Sequence, residues 1–325
     1  MKHIDKKISI ILIAVLCATM LFGCGTQSMV PYESMLEVSS SYRLLTDSTD
    51  KTQGFAAELC VGPTSVALED YEIQQVSGAG LFDLNQNRVV YASNMHAKLY
   101  PASLTKLLTA YVAIKYGSLD QLLTATSAVN ITEQGATIAG LRPGDSMTLE
   151  QALHLLLIRS ANDVANLIAE GISGSVEEFV ALMNEEAKAL GATNSHFVNA
   201  HGLHDPEHYT TVYDMYLIFK EVVKYEALTQ IMAQSSYTTT FKDKNGSDRN
   251  ISVTTTNAYF KKLYAAPENV TILGGKTGTT DEAGSCLALY AKDVSGNPYI
   301  SIILHGNTRD DLYTQMKQLL EQIHK

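Results

Sequence analysis

The sequence predicts an α/β domain of the α+β kind, with an antiparallel sheet assembled from both ends of the chain around a helical middle. Strand-like apolar runs near residues 78–92 and again beyond residue 236 supply the sheet. Between them, from residue 101 to about 234, apolar residues recur at helical spacing. Composition agrees: 46% hydrophobic and 18% charged residues, with 7 Pro and 21 Gly in 325, exclude a disordered, collagen-like or low-complexity chain. A formal net charge of −10 argues against a nucleic-acid binder. Four Cys in so long a chain exclude a disulfide-built fold.

The first segment reads as a leader. Lys2, Lys6 and Lys7 precede an apolar run over residues 8–22. That run is shorter than the roughly 20 residues that span a bilayer, and its flanks are those of a secretory signal peptide. It ends in Leu21-Phe22-Gly23-Cys24, which resembles the lipobox of bacterial lipoproteins. That likeness implies removal of residues 1–23, diacylation of Cys24 and lipid anchoring at the outer face of the bacterial cell membrane. A signal anchor left in place, or cleavage without lipid, are the alternatives. Residues 24–53, rich in Ser, Thr, Asp and Gln, read as a flexible tether, leaving residues 54–325 as one domain.

Within that domain, residues 78–82 and 88–92 flank Asn85-Gln86-Asn87 and predict a hairpin. Pro101 suits the first turn of a helix, and Leu104, Leu107, Leu108, Tyr111 and Ile114 continue it at helical spacing. Thr148 with Gln151, and Ser175 with Glu178, have capping-box spacing. They predict helices through 153–158 and 179–190, the second stopped by Gly191, and a third helix fits 212–225. Strands at 237–241 and 251–255 flank Asn245-Gly246, a hairpin pair. Strands at 270–273, 285–291 and 299–304 follow, and an amphipathic helix over 310–323 closes the chain. All these strands are expected in one sheet.

Three short motifs carry chemistry. Ser103-Leu104-Thr105-Lys106 sets a hydroxyl and an amine on one helical face, with Ser103 in the first turn where the dipole favours developing negative charge. A neutral Lys nearby can activate such a Ser. Alone this is weak, since about one Ser-x-x-Lys arises by chance in a chain this long. Ser160-Ala161-Asn162 interrupts an apolar helical run and presents two hydrogen-bonding side chains, or simply marks a helix break. Lys276-Thr277-Gly278-Thr279 follows a strand and could run along a sheet edge, with Gly allowing close approach of a ligand. A Lys-Thr-Gly triplet is expected only about 0.1 times by chance. The phosphate-loop pattern is not met there.

In this order, 57 and 116 residues apart, the three are similar to the signature of penicillin-binding proteins and class A β-lactamases. The chain resembles the low-molecular-mass penicillin-binding proteins, the serine D-alanyl-D-alanine carboxypeptidases. Tyr100-Pro101-Ala102, Asn199-Ala200-His201-Gly202-Leu203 and Asp281-Glu282-Ala283-Gly284-Ser285-Cys286 extend the likeness. The resemblance implies a β-lactamase/transpeptidase-like fold with a helical subdomain. It implies an enzyme that removes the terminal D-Ala from peptidoglycan stem peptides ending in D-Ala-D-Ala and that β-lactam antibiotics acylate. Ser103 is then the nucleophile and Lys106 its base, with a pKa lowered by burial and by Lys276. Ser160 passes a proton to the leaving amine, and Asn162 holds Lys106 and the substrate amide. The Ser103 and Thr279 N–H groups form the oxyanion hole. Lys276, Thr277, Gly278 and Thr279 receive the substrate strand and its carboxylate, with charge added by Arg309.

Neither cofactor nor metal is implied. His201, His204 and His208 have spacings that suggest zinc, but they fall in a loop that similar serine carboxypeptidases carry without metal. Cys60 and Cys286 could pair, and two buried thiols are the favoured reading. Many relatives carry a second, β-rich domain and a C-terminal anchor; here the catalytic domain alone is expected, with the lipid replacing the anchor. Two other classes stay open. A class A β-lactamase normally holds its deacylating water with Glu-x-x-Leu-Asn, a segment missing from the sequence, and the middle motif has Ala161 in place of Asp. A non-catalytic penicillin receptor keeps the Ser without turnover.

Overall fold

Apolar runs at the two ends of the chain, buried along most of their length, fold into one antiparallel sheet. The computed structural model describes residues 58–324. The leader, Cys24 and the tether lie outside them. Val76–Asp83 (β1) and Arg88–Ser93 (β2) form the expected hairpin. Val270–Thr280 (β7), Gly284–Asp293 (β8) and Pro298–Gly306 (β9) come from the other end, and the strand order is β2-β1-β9-β8-β7. Register along β1 and β9 pairs Gly80 with Ile302 and Phe82 with Ile300. The strand carrying Lys276 is therefore one of the two edge strands of the sheet.

One expectation needs correction. The strands Ser236–Lys242 (β5) and Asp248–Thr254 (β6) do not join that sheet. They pair with two short strands, Leu122–Thr124 (β3) and Ser146–Thr148 (β4), in a second sheet of order β3-β4-β5-β6. Their turn is also longer than a two-residue hairpin. It spans residues 243–247, and the Asp243 carboxylate accepts the N–H groups of Asn245 and Ser247. Three-residue strands such as β3 and β4 are too short to show a period of two.

The helices lie between. Ala102–Leu104 is a 3₁₀ turn opening into Thr105–Tyr116 (α1), with Pro101 immediately before it. The expected capping box at Thr148 and Gln151 is reciprocal and starts Leu149–His154 (α2). Residues Leu155–Arg159 then form a π-helical turn ending at Ser160. Asn162–Ser173 (α3) follows, and Ser175 caps Val176–Ala189 (α4) by accepting from the Glu178 N–H. The expected helix 212–225 is corrected to Val212–Val222 (α5), then Glu226–Met232 (α6). Between them Tyr225 leaves the helical conformation and sets its ring edge-on against Tyr111 of α1.

Two apolar layers hold the large sheet. Towards the helical block, Phe82 of β1 stacks on Tyr216 of α5 with centroids 4.2 Å apart. On the other face Leu287, Leu289 and Ile303 pack against Met316 and Leu319 of Arg309–Leu320 (α7). Cys60 and Cys286 are free and buried, their thiols directed at the Asp83 and Ala283 carbonyls respectively. Gln151 of α2 donates to Thr239 Oγ1 and the Thr240 carbonyl, fastening the second sheet to the block.

Phe82 has no exposed surface, so Phe82→Ala is expected to cost about 3–5 kcal/mol of stability. Urea denaturation of the domain reads this, and a loss below about 1 kcal/mol would show that the sheet and helical block are not joined there.

Candidate active site

The three motifs converge although 57 and 116 residues separate them. The Ser103 turn, the π-turn that ends at Ser160, and the edge strand β7 meet at one end of the large sheet. Gly278 permits the closest contact. A Cβ on it would lie 2.9 Å from both the Pro101 carbonyl oxygen and the Ser103 nitrogen. Any larger residue would push β7 away from the Ser103 turn.

Lys106 is fully buried, and its Nζ touches three oxygens. Ser103 Oγ is 3.0 Å away, Asn162 Oδ1 2.6 Å and the His201 carbonyl 2.5 Å. Asn162 Oδ1 and the carbonyl can only accept, so each claims an amine N–H. A neutral amine then has its lone pair available for the Ser103 hydroxyl. Burial is the main force that holds Lys106 well below the ordinary lysine pKa; the nearby Lys276 charge adds to it and Asp163 opposes it. Lys276 is equally buried, and burial pushes it down to about 7. Its Nζ donates to Ser160 Oγ and to the Thr277 carbonyl, both at 2.8 Å. The result is a hydroxyl beside an amine held well below the ordinary lysine pKa, and a second hydroxyl on a second amine pushed down to about 7.

Ser160 occupies the left-handed region at φ +67°, an uncommon state for a residue with a side chain. It ends the π-turn, and Asn162 opens α3 two residues later. The two readings of Ser160-Ala161-Asn162 are thus both realised, since the helix break is what turns the two side chains towards the lysines.

Beside these groups runs a cleft of about 270 Å³. Ser103, Ser160, Thr277, Thr279 and Arg309 all line it, so the expected residues share one cavity. Arg309 stands at the start of α7, its guanidinium 5.9 Å from the Tyr313 ring centroid. Gly278 lines the cleft as well, whereas Lys106, Asn162 and Lys276 lie buried behind the hydroxyls rather than on the wall. Sequence reasoning missed other lining residues, among them Thr137, Thr256 and Lys261. Thr256 binds Thr277 through their hydroxyls at 2.6 Å. Thr137 belongs to a loop held by Asp163, whose carboxylate accepts the N–H groups of Ala139, Gly140 and Leu141. A lone acidic residue after Asn162 gave no signal of that role.

The histidine loop acts through its backbone and neutral rings. His201 supplies the carbonyl that binds Lys106, and burial pushes its imidazole down to about 3. His208 contacts Thr105 Oγ1. Among the described residues, no three His, Cys, Asp or Glu side chains converge as a metal site.

Comparison with known proteins agrees with this geometry. A profile of the D-alanyl-D-alanine carboxypeptidase family, peptidase S11, matches residues 67–308. The D-alanyl-D-alanine carboxypeptidase DacF of Bacillus subtilis is 32% identical over 276 residues, covering 81% of this chain and 67% of DacF. DacC of Escherichia coli is 30% identical over 280 residues, covering 82% of this chain and 66% of DacC. The matched part is therefore about two thirds of these relatives' length. Among solved structures, the Streptomyces K15 DD-transpeptidase shares the fold with a TM-score of 0.72 at 24% identity, covering 78% of this chain and 98% of that one.

Lys276→Met removes the like charge that helps depress Lys106 while leaving it buried. The Lys106 pKa is expected to rise yet stay below the ordinary lysine value, as read by NMR titration of labelled lysine side chains. An unchanged or lower pKa would show that the two amines do not interact.

Proposed function

The chain belongs to the D-alanyl-D-alanine carboxypeptidase family, peptidase S11, and we propose that it removes the terminal D-Ala from peptidoglycan stem peptides through an acyl-enzyme on Ser103. One observation carries this reading: a buried amine with a depressed pKa lies 3.0 Å from the Ser103 hydroxyl and has its two other contacts on acceptors. In this reading Lys106 takes the Ser103 proton as Oγ attacks the carbonyl between the two D-alanines. The Ser103 and Thr279 N–H groups hold the oxyanion, where one donor is typically worth about 10²–10³ in rate. Ser160, hydrogen-bonded to Lys276, delivers its proton to the leaving amine and regains one from the proton that Lys106 took, so that the Ser160 hydroxyl and the neutral Lys106 are both restored. Free D-Ala departs, and water, deprotonated by Lys106, releases the shortened peptide and restores Ser103.

The substrate's extended C-terminus lies along β7, where Gly278 keeps the strand close to Ser103. Its carboxylate is received by Lys276, Thr277, Thr279 and Arg309, and Asn162 holds both Lys106 and the substrate amide. β-Lactam antibiotics enter the same cleft and acylate the same oxygen. Residues 54–325 then form the catalytic domain. Lipid on Cys24, with the tether of residues 24–53, holds it outside the cytoplasm within a random-coil reach of about 30 Å of the membrane.

A β-lactamase is the nearest rival, because it too is acylated at the Ser. Rapid hydrolysis of the penicilloyl group needs a base placed for water while the tethered amine remains beside the acyl carbonyl. The sequence lacks Glu-x-x-Leu-Asn. The penicilloyl adduct is therefore expected to persist in intact-mass spectra while the free enzyme releases D-Ala repeatedly from a D-Ala-D-Ala peptide, and Ser103→Ala is expected to lose fluorescent-penicillin labelling. Labelling that survives Ser103→Ala would refute the nucleophile. Fast penicillin hydrolysis without D-Ala release would make the protein a β-lactamase, and a stable adduct with no D-Ala release would make it a receptor.

The anchor has its own test. Native protein is expected in the detergent phase on phase partitioning and Cys24→Ala in the aqueous phase; a mature N-terminus away from Cys24, without lipid mass, would refute it.

A further inference from the structure

The turn carrying Ser103 is braced from behind by side chains that the mechanism above does not use. Ala102, just before the Ser, sits at φ +45°, where residues with a side chain are uncommon. Its carbonyl oxygen accepts a hydrogen bond from Thr105 Oγ1 at 2.8 Å. Thr105 Oγ1 lies 2.8 Å from Nε2 of His208. Both side chains are buried.

Proton order along this chain is fixed. The Val198 N–H donates to His208 Nδ1 at 3.2 Å, so Nδ1 is bare and Nε2 carries the proton of the neutral ring. Nε2–H must then donate to Thr105 Oγ1, whose own proton goes to the Ala102 carbonyl. Burial pushes the His208 pKa down to about 4, so the neutral ring and its tautomer persist at ordinary pH. Gly202 closes the other side, since a Cβ there would fall 1.9 Å from the same carbonyl oxygen.

The Ala102 carbonyl and the Ser103 N–H are opposite ends of one trans peptide plane, so whatever fixes the first aims the second. We infer that His208 and Thr105 are positioning residues that aim the Ser103 N–H at the oxyanion of the reacting carbonyl and strengthen it as a donor by polarising its peptide group. This rests on the reading of Ser103 as the nucleophile.

Thr105→Val keeps the β-branched shape and deletes both hydrogen bonds. An aimed donor matters in the transition state, so kcat for D-Ala release and the rate of penicillin acylation are expected to fall about 10- to 100-fold, with KM within about twofold of wild type. The infrared stretch of the penicilloyl ester carbonyl is expected to move to higher frequency as its hydrogen bond weakens. Thr105→Ser restores the hydroxyl and is expected to recover the rate to within about threefold. His208→Phe, which fills the space beside Phe197, is expected to match Thr105→Val. His208→Gln, whose amide nitrogen can stand in for Nε2, is expected to retain most of the rate. Should Thr105→Val not fold, the His208 pair decides. A kcat within twofold of wild type in Thr105→Val or His208→Phe, or an unmoved carbonyl stretch, would overturn the proposal. Wild-type protein that no penicillin labels would instead overturn the reading of Ser103.

Discussion

An amine buried without an opposing carboxylate is the constraint on which the rest of this site depends. Lys106 is satisfied by three neutral oxygens, one each from the Ser103 turn, the start of α3 and the histidine loop. A carboxylate at that distance would favour the charged form and remove the lone pair the chemistry needs. Asp163 is the nearby acid that acts on Lys106, and its oxygens are directed to the backbone of residues 139–141. Because a buried polar group left unpaired is costly, the three segments must meet wherever the amine is. The fold of the helical block and the depressed pKa of Lys106 are thus two aspects of one arrangement.

Much of the architecture was legible in the sequence. The hairpin at residues 76–93 and the last two strands are apolar runs bounded by turn residues, and the long helices α1 and α4 are flagged by helical apolar spacing and by end signals such as Pro101, Ser175 and Gly191. What escaped was set by contacts between distant residues. β3 and β4 are held by their neighbours rather than by a pattern of their own. The break after Val222 follows from Tyr225 meeting Tyr111 across the core. In the site, the motif residues announced themselves by type and spacing. Thr137, Thr256 and Lys261 did not, because threonine or lysine in a loop is unremarkable until folding puts it on the cleft. His201 draws attention by its ring, whereas its carbonyl is the group in contact with Lys106.

Two hydroxyl-bearing segments of the site rely on left-handed residues other than glycine. Ala102 precedes Ser103 at φ +45°, and Ser160 itself lies at φ +67°. Each such residue costs of order 1–3 kcal/mol and persists only where its surroundings enforce it. At Ala102 the enforcement is Thr105 and Gly202; at Ser160 it is the hydrogen bond from Lys276 and the π-turn behind it. Local strain here is tied to direction: it points each hydroxyl out of a helix end and into the cleft.

The placement of β7 at the rim of its sheet has a consequence for the life of the protein before it meets substrate. A terminal strand offers backbone donors and acceptors to any extended chain, and sheet proteins commonly guard such rims against self-association. In the proposed reaction this rim receives an extended peptide, so it cannot be walled off. The lysine that would ordinarily guard it is turned inward to Ser160 instead of outward to solvent. On that proposal, crowded copies would compete with the peptide for the same backbone groups, and a molecule occupied by its ligand would also be protected from clumping.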